Sequence, residues 1–163
     1  MRPLRARLLA GLALALLLGG CASPRPQPDA ATASAHWQGR LSVKVYSKPV
    51  QAFSASFDLL GNPDTGELLL TSPLGTTLAR LQWQAGRATL TANGEQRGYG
   101  SLQELAFKAT GADLPVSSLF AWLQGQAEEA PGWQVDLSEL AAGRIKAEHI
   151  EEVQSELKII LDR

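Results

Sequence analysis

Few residues in this chain have side chains able to do chemistry. The strongest candidate is Cys21, the only cysteine among 163 residues, which directly follows Gly19-Gly20. A thiolate is a nucleophile, and two glycines before it leave the preceding peptide bond open to a peptidase. The two histidines, His36 and His149, stand far apart, and no Cys/His cluster has metal-ligand spacing. A G-x-S-x-G elbow and a phosphate-cradling glycine loop are both missing. Glu128-Glu129 and Glu151-Glu152 pair carboxylates on polar segments, the pattern of a solvated face rather than of an acid and a base. Only Ser117 or Ser118 brought beside His149 would make a nucleophile and base, and serines on a helix face are ordinary. The chain is therefore expected to be no enzyme and to need neither metal nor cofactor.

The surroundings of Cys21 give its chemistry a context. Arg2, Arg5 and Arg7 precede an apolar run from Leu8 to Leu18. That run is too short to span a bilayer and has the layout of a secretory signal. Leu18-Gly19-Gly20-Cys21 resembles a bacterial lipobox, at which the cysteine gains a diacylglycerol thioether, the bond before it is cut and the new amine is acylated. Ala22 follows where Asp would imply retention in the inner membrane, so sorting to the outer membrane is implied. A lone cysteine also excludes a disulfide framework within one chain. The expected organisation is a signal peptide over 1–20, an acylated cysteine and Pro-rich tether over 21–36, and one domain over 37–163. Loss of residues 1–20 removes three arginines, takes the formal charge from −1 to −4 and leaves 143 residues, enough for a single core. A mildly acidic chain lacks the basic stripe that a nucleic-acid partner requires. No later apolar run is long enough to cross a membrane as a helix.

A second group of residues stands out for misplaced hydrophobicity. Leu68-Leu69-Leu70-Thr71-Ser72-Pro73-Leu74-Gly75-Thr76-Thr77-Leu78 reads as a strand, a tight turn and a second strand. Pro73 fixes its φ and Gly75 permits φ > 0, which suits a sharp reversal. Leu74 sits at the tip, and leaving a Leu wet forgoes about 1.5–3 kcal/mol of burial. Either Leu74 folds back or remains as an ordinary surface apolar residue, or its exposure has a use.

The elements around these residues follow from period. From Trp37, Leu41, Val43 and Val45 alternate with polar residues, and so do Phe53, Ala55, Phe57 and Leu59. Strands are also predicted at Leu68–Thr71, Leu78–Trp83, Ala88–Ala92 and Glu95–Tyr99, the last two joined by a type I′ turn at Asn93-Gly94. The period then becomes helical. Ser101 to Glu104 reads as a capping box in which Glu104 reaches back to the Ser101 amide, and Gly111 stops that helix. A second helix is predicted over Asp113–Leu123 with Pro115 in its first turn. Trp133–Leu137, Arg144–Glu148 and Leu157–Leu161 complete the strands. Such a curved sheet and two apolar helices could enclose a solid core or an apolar cavity.

With the lipobox, the Pro-Leu-Gly turn after a leucine-rich strand, and Leu114-Pro115-Val116-Ser117-Ser118-Leu119-Phe120-Ala121-Trp122-Leu123-Gln124-Gly125 in view, the chain resembles the LolB family of outer-membrane lipoprotein receptors. The likeness runs from about Trp37 to the end and is densest over 68–83 and 113–125. It implies an incomplete, half-open antiparallel β-barrel with a short helical lid over a hydrophobic cavity. It also implies a protein that accepts acylated lipoproteins from the periplasmic carrier LolA and inserts them into the outer membrane, to which it is anchored facing the periplasm. A monomer is expected. The family's protruding loop residue falls on Leu74, flanked by Pro73 and Gly75, as the membrane-insertion loop. Alternation then suggests Phe53, Phe57, Leu70, Leu81, Leu119 and Trp122 as the acyl-chain lining. Ala30–His36 and Gln126–Gly132 are short for this family, so a smaller or more open barrel is expected. The competing expectation is an accessory outer-membrane lipoprotein with a filled core.

Overall fold

In a computed structural model of the chain, the described residues are 35–110, 113–151 and 153–162. Cys21, the segment 1–20 and most of the expected tether lie outside them, as does Gly111. The described residues form nine strands: β1 Ala35–Val45, β2 Gln51–Gly61, β3 Gly66–Thr71, β4 Thr77–Gln84, β5 Arg87–Ala92, β6 Glu95–Tyr99, β7 Trp133–Asp136, β8 Arg144–His149 and β9 Ser155–Leu161. Two helices, α1 Leu102–Thr110 and α2 Val116–Leu123, stand between β6 and β7. The strands form one antiparallel sheet in the order β6-β5-β4-β3-β2-β1-β9-β8-β7. The sheet does not close, so β6 and β7 are its edges.

Register sets which side chains share a face. Leu41 lies opposite both Ala55 and Ile159, and Val43 opposite both Phe53 and Leu157. Leu68 lies opposite Leu59 and Leu81, and Leu81 opposite Leu90. One-residue slippage would turn this whole apolar set to water, so burial fixes the pairing. Gly39 on β1 is required by close approach, because a Cβ there would overlap the backbone carbonyl oxygen of Ile160 on β9.

The turns follow local chemistry. Asn93 (φ 53°) and Gly94 (φ 77°) both take positive φ, as a type I′ hairpin demands. The start of α1 differs from the predicted capping box by one residue. Ser101 Oγ accepts from the Glu104 amide at 3.0 Å, but the Glu104 carboxylate accepts from the Gly100 amide rather than from that of Ser101. The second helix starts at Val116, three residues later than predicted. A residue before proline is disfavoured in the α region, and Pro115 itself is non-helical at φ −79°, ψ 81°.

Indole groups tie loops to this frame. The Nε1 donors of Trp83, Trp122 and Trp133 bond the carbonyls of Asn62, Glu128 and Asp113 at 2.8, 2.8 and 3.0 Å. Phe120 of α2 meets the rings of Trp37 and Trp83 edge-on at 5.9 and 6.2 Å. Such pairs add about 0.5–1.5 kcal/mol beyond their buried area, and they hold α2 against the sheet.

Candidate functional site

The hairpin of β3 and β4 carries both candidate features. Its turn is built by Ser72: the Ser72 carbonyl accepts from the Gly75 amide at 2.9 Å, and the Ser72 amide donates to the Thr76 carbonyl at 2.8 Å. Ser72 Oγ accepts from the Thr76 amide as well, at 3.2 Å. Pro73 and Leu74 occupy the two central positions, and Gly75 adopts φ 82° with open space where a Cβ would be. The register shifts between Leu70 and Thr71, the bulge that this loop geometry brings. The backbone bonds are thus satisfied within the turn, and nothing draws Leu74 back. Its side chain is 94% exposed.

Behind the turn lies a pocket of about 310 Å³ between the sheet and the helices. Strands β3 and β4 supply Leu68, Leu70, Ala79, Leu81 and Trp83 to it, while α2 and the segment before it supply Leu114, Val116, Leu119 and Phe120. Leu102, Ala106 and Ala109 of α1 border it too, and no charged side chain occurs among its described lining residues. The pocket reaches the end of the sheet that bears the β3–β4 turn, because Phe53 and Ala92 line it there. Phe53 is 39% exposed at that end.

Of the six suggested lining residues, Phe53, Leu70, Leu81 and Leu119 border this pocket. Phe57 and Trp122 do not. Phe57 is buried opposite Gly39. Trp122 turns to the other side of α2, where its ring lies 6.4 Å from that of Trp133. Leu41, Leu59, Leu68 and Leu90 line the pocket without having been singled out. Leu59 and Leu68 share strand parity with Phe53 and Leu70, so alternation alone reaches them, whereas Leu41 and Leu90 lie on strands from which no lining residue is suggested. Trp83 shares parity with Leu81 on β4 and is equally within reach of alternation, while Phe120, whose ring meets that of Trp83, is placed only by how α2 rests on the sheet.

The polar candidates remain apart. Ser118 Oγ donates to the Glu128 carboxylate at 3.2 Å, whereas His149 faces the Val153 carbonyl and the Trp133 ring. His36 and Gln38 of β1 both contact the Asp58 carboxylate of β2, at 2.8 and 2.7 Å. The Gln38 amide, opposed by partial burial and assisted by His36, holds the Asp58 carboxyl below the usual aspartate range.

An open nine-stranded antiparallel sheet with two helices between its sixth and seventh strands defines a mainly β protein. Residues 35–157 match the family described as outer membrane lipoprotein LolB, so the chain belongs to the LolB family. It is 37% identical over 127 residues to the outer-membrane lipoprotein LolB of Chromobacterium violaceum, covering 74% of this chain and 68% of that one. It is 32% identical over 147 residues to that of Chromohalobacter salexigens, covering 82% and 68%. The Bordetella pertussis protein of the same name is 34% identical over 118 residues, covering 71% of this chain and 59% of its own length.

Proposed function

We propose that this chain is an outer-membrane lipoprotein, acylated at Cys21, that accepts lipoproteins from a LolA-like carrier and inserts them into the membrane. The pocket under α1 and α2 holds the acyl chains of the cargo, with the helices as its lid. The Pro73-Leu74-Gly75 turn enters the bilayer and brings the open end of the pocket to the lipid.

The observation that carries this reading is Leu74. A leucine 94% exposed beside an apolar pocket stabilises nothing in the isolated domain. In lipid the same side chain gains about 1.5–3 kcal/mol. Membership of the LolB family supports the same conclusion.

The test is transfer of a radiolabelled lipoprotein from its LolA complex into liposomes bearing the acylated protein, wild type against Leu74→Glu. Since Leu74 is at a turn tip, the substitution should leave thermal stability within about 0.5 kcal/mol. Cargo should still leave LolA, while insertion falls roughly tenfold to a hundredfold, the factor that the lost burial corresponds to. Equal insertion by both proteins would remove the role of Leu74. Failure of the wild type to strip LolA would favour an accessory lipoprotein.

A further inference from the structure

The face of the sheet opposite the apolar pocket carries a groove of about 410 Å³ that ends against Pro73. Arg40 and Ser42 of β1, Ser54 and Ser56 of β2 and Lys158 of β9 supply its polar lining. Register puts them together: Arg40 lies opposite Ser56, and Ser42 lies between Ser54 and Lys158. Lys158 is already engaged by Glu156 at 2.7 Å. The acid two residues beyond Ser56 on β2, Asp58, is taken up by His36 and Gln38. Among the described residues, the Arg40 guanidinium and the Ser42, Ser54 and Ser56 hydroxyls make no hydrogen bond or ion pair with the rest of the chain.

We infer that this groove is a binding site for the phosphate of an anionic phospholipid on the bilayer surface. A guanidinium offers a planar fork of donors that matches phosphate oxygens, and serine hydroxyls add single donors. The rest of the groove suits a lipid better than a free anion, because Ile160, 45% exposed, and Pro73 add apolar surface beside the polar groups. Its position supplies the geometry. Pro73 borders the groove and Leu74 is the next residue, so a turn that enters lipid brings Arg40 to the headgroup layer. The inference rests on the proposed entry of Leu74 into the bilayer.

The experiment uses the acylated full-length protein in two ways. In phosphatidylcholine bicelles, addition of phosphatidylglycerol should shift the Arg40 Nε–H resonance and leave that of Arg97, on β6, in place. Inorganic phosphate at the same concentration should move Arg40 much less. In liposomes, phosphatidylglycerol should raise wild-type cargo insertion about fivefold, the gain expected of one basic side chain at an anionic surface. Arg40→Gln should lose that gain while matching wild type in pure phosphatidylcholine, and Arg40→Lys should keep part of it. An unmoved Arg40 resonance, equal shifts of Arg40 and Arg97, or equal shifts with free phosphate would overturn the lipid site. Wild-type insertion with an indifferent Arg40→Gln would overturn it and leave the proposed function standing. If the wild type inserts no cargo, the transfer function fails, and the resonance shifts alone decide the groove.

Discussion

Replacing Ala79 by Phe separates a ligand pocket from a packing defect. Ala79 is half-buried on β4 opposite Leu70 and lines the 310 Å³ pocket. A water molecule's share of the liquid is about 30 Å³, so this space admits about ten groups of methylene size. At about 0.8 kcal/mol for each sheltered CH₂, ten of them set a ceiling near 8 kcal/mol. A phenyl ring displaces roughly half of those groups, and acyl-chain retention weakens by up to about 4 kcal/mol, a thousandfold at the limit. The same ring fills empty apolar space, which commonly adds about 0.5–2 kcal/mol of stability. Ala79→Phe should therefore melt higher than wild type yet strip cargo from the carrier at least about tenfold more slowly. Thermal denaturation and the liposome transfer assay read the two effects separately. A stabilised variant with wild-type transfer would refute the assignment of acyl chains to this pocket. A variant destabilised by about 1–3 kcal/mol, as overpacking produces, would refute the premise that the space is open.

Two further outcomes follow from single positions. Gly39→Ala must push β1 away from β9, because the new Cβ overlaps the Ile160 backbone; a loss of about 3 kcal/mol is expected, seen as a melting point lower by roughly 10 °C. The depressed Asp58 carboxyl contributes stability that is present above the ordinary aspartate pKa and lost as pH falls through its lower folded value. Its side chain is 44% exposed, so solvent screening keeps the contribution within about 1 kcal/mol. The stability difference between wild type and Asp58→Asn should be constant near neutral pH and vanish in the acid range, as chemical denaturation at a series of pH values would show.

What the sequence disclosed follows from the range of the interactions involved. Most strands are local alternations, as in Leu41, Val43 and Val45 or Leu157 and Ile159, while β3 is a leucine run and β6 follows from the turn before it. The Asn93-Gly94 turn is equally local, because positive φ is a property of those two residues. Structure and sequence pattern part where one more neighbour intervenes. Pro115 shortened α2 by restricting the backbone before it, and Gly100 rather than Ser101 received the Glu104 carboxylate. Parity and helix position put Phe57 and Trp122 with the lining, yet neither borders the pocket: Phe57 is buried opposite Gly39, and Trp122 packs beside Trp133. A lining is a property of how the sheet bends and where a helix rests, and alternation specifies neither. Leu74 is legible in the sequence because a turn that satisfies its own hydrogen bonds exposes its central residues whatever the rest of the fold does.

The β3–β4 hairpin gives the proposed transfer its direction. Leu70 and Ala79, directly opposed, wall the pocket, and the same two strands carry Leu74 out on a turn closed by Ser72. Leu74 cannot enter lipid without moving that wall to the bilayer surface, so docking and exposure of the pocket end are one event. The pocket then competes with the membrane for an acyl chain. It shelters about ten methylenes at most, whereas the bilayer shelters the whole chain at about 0.8 kcal/mol per CH₂. Every methylene beyond the pocket's capacity tilts the exchange toward lipid. A small pocket therefore favours release, and enlarging it by Leu81→Ala should slow insertion while cargo is still accepted from the carrier.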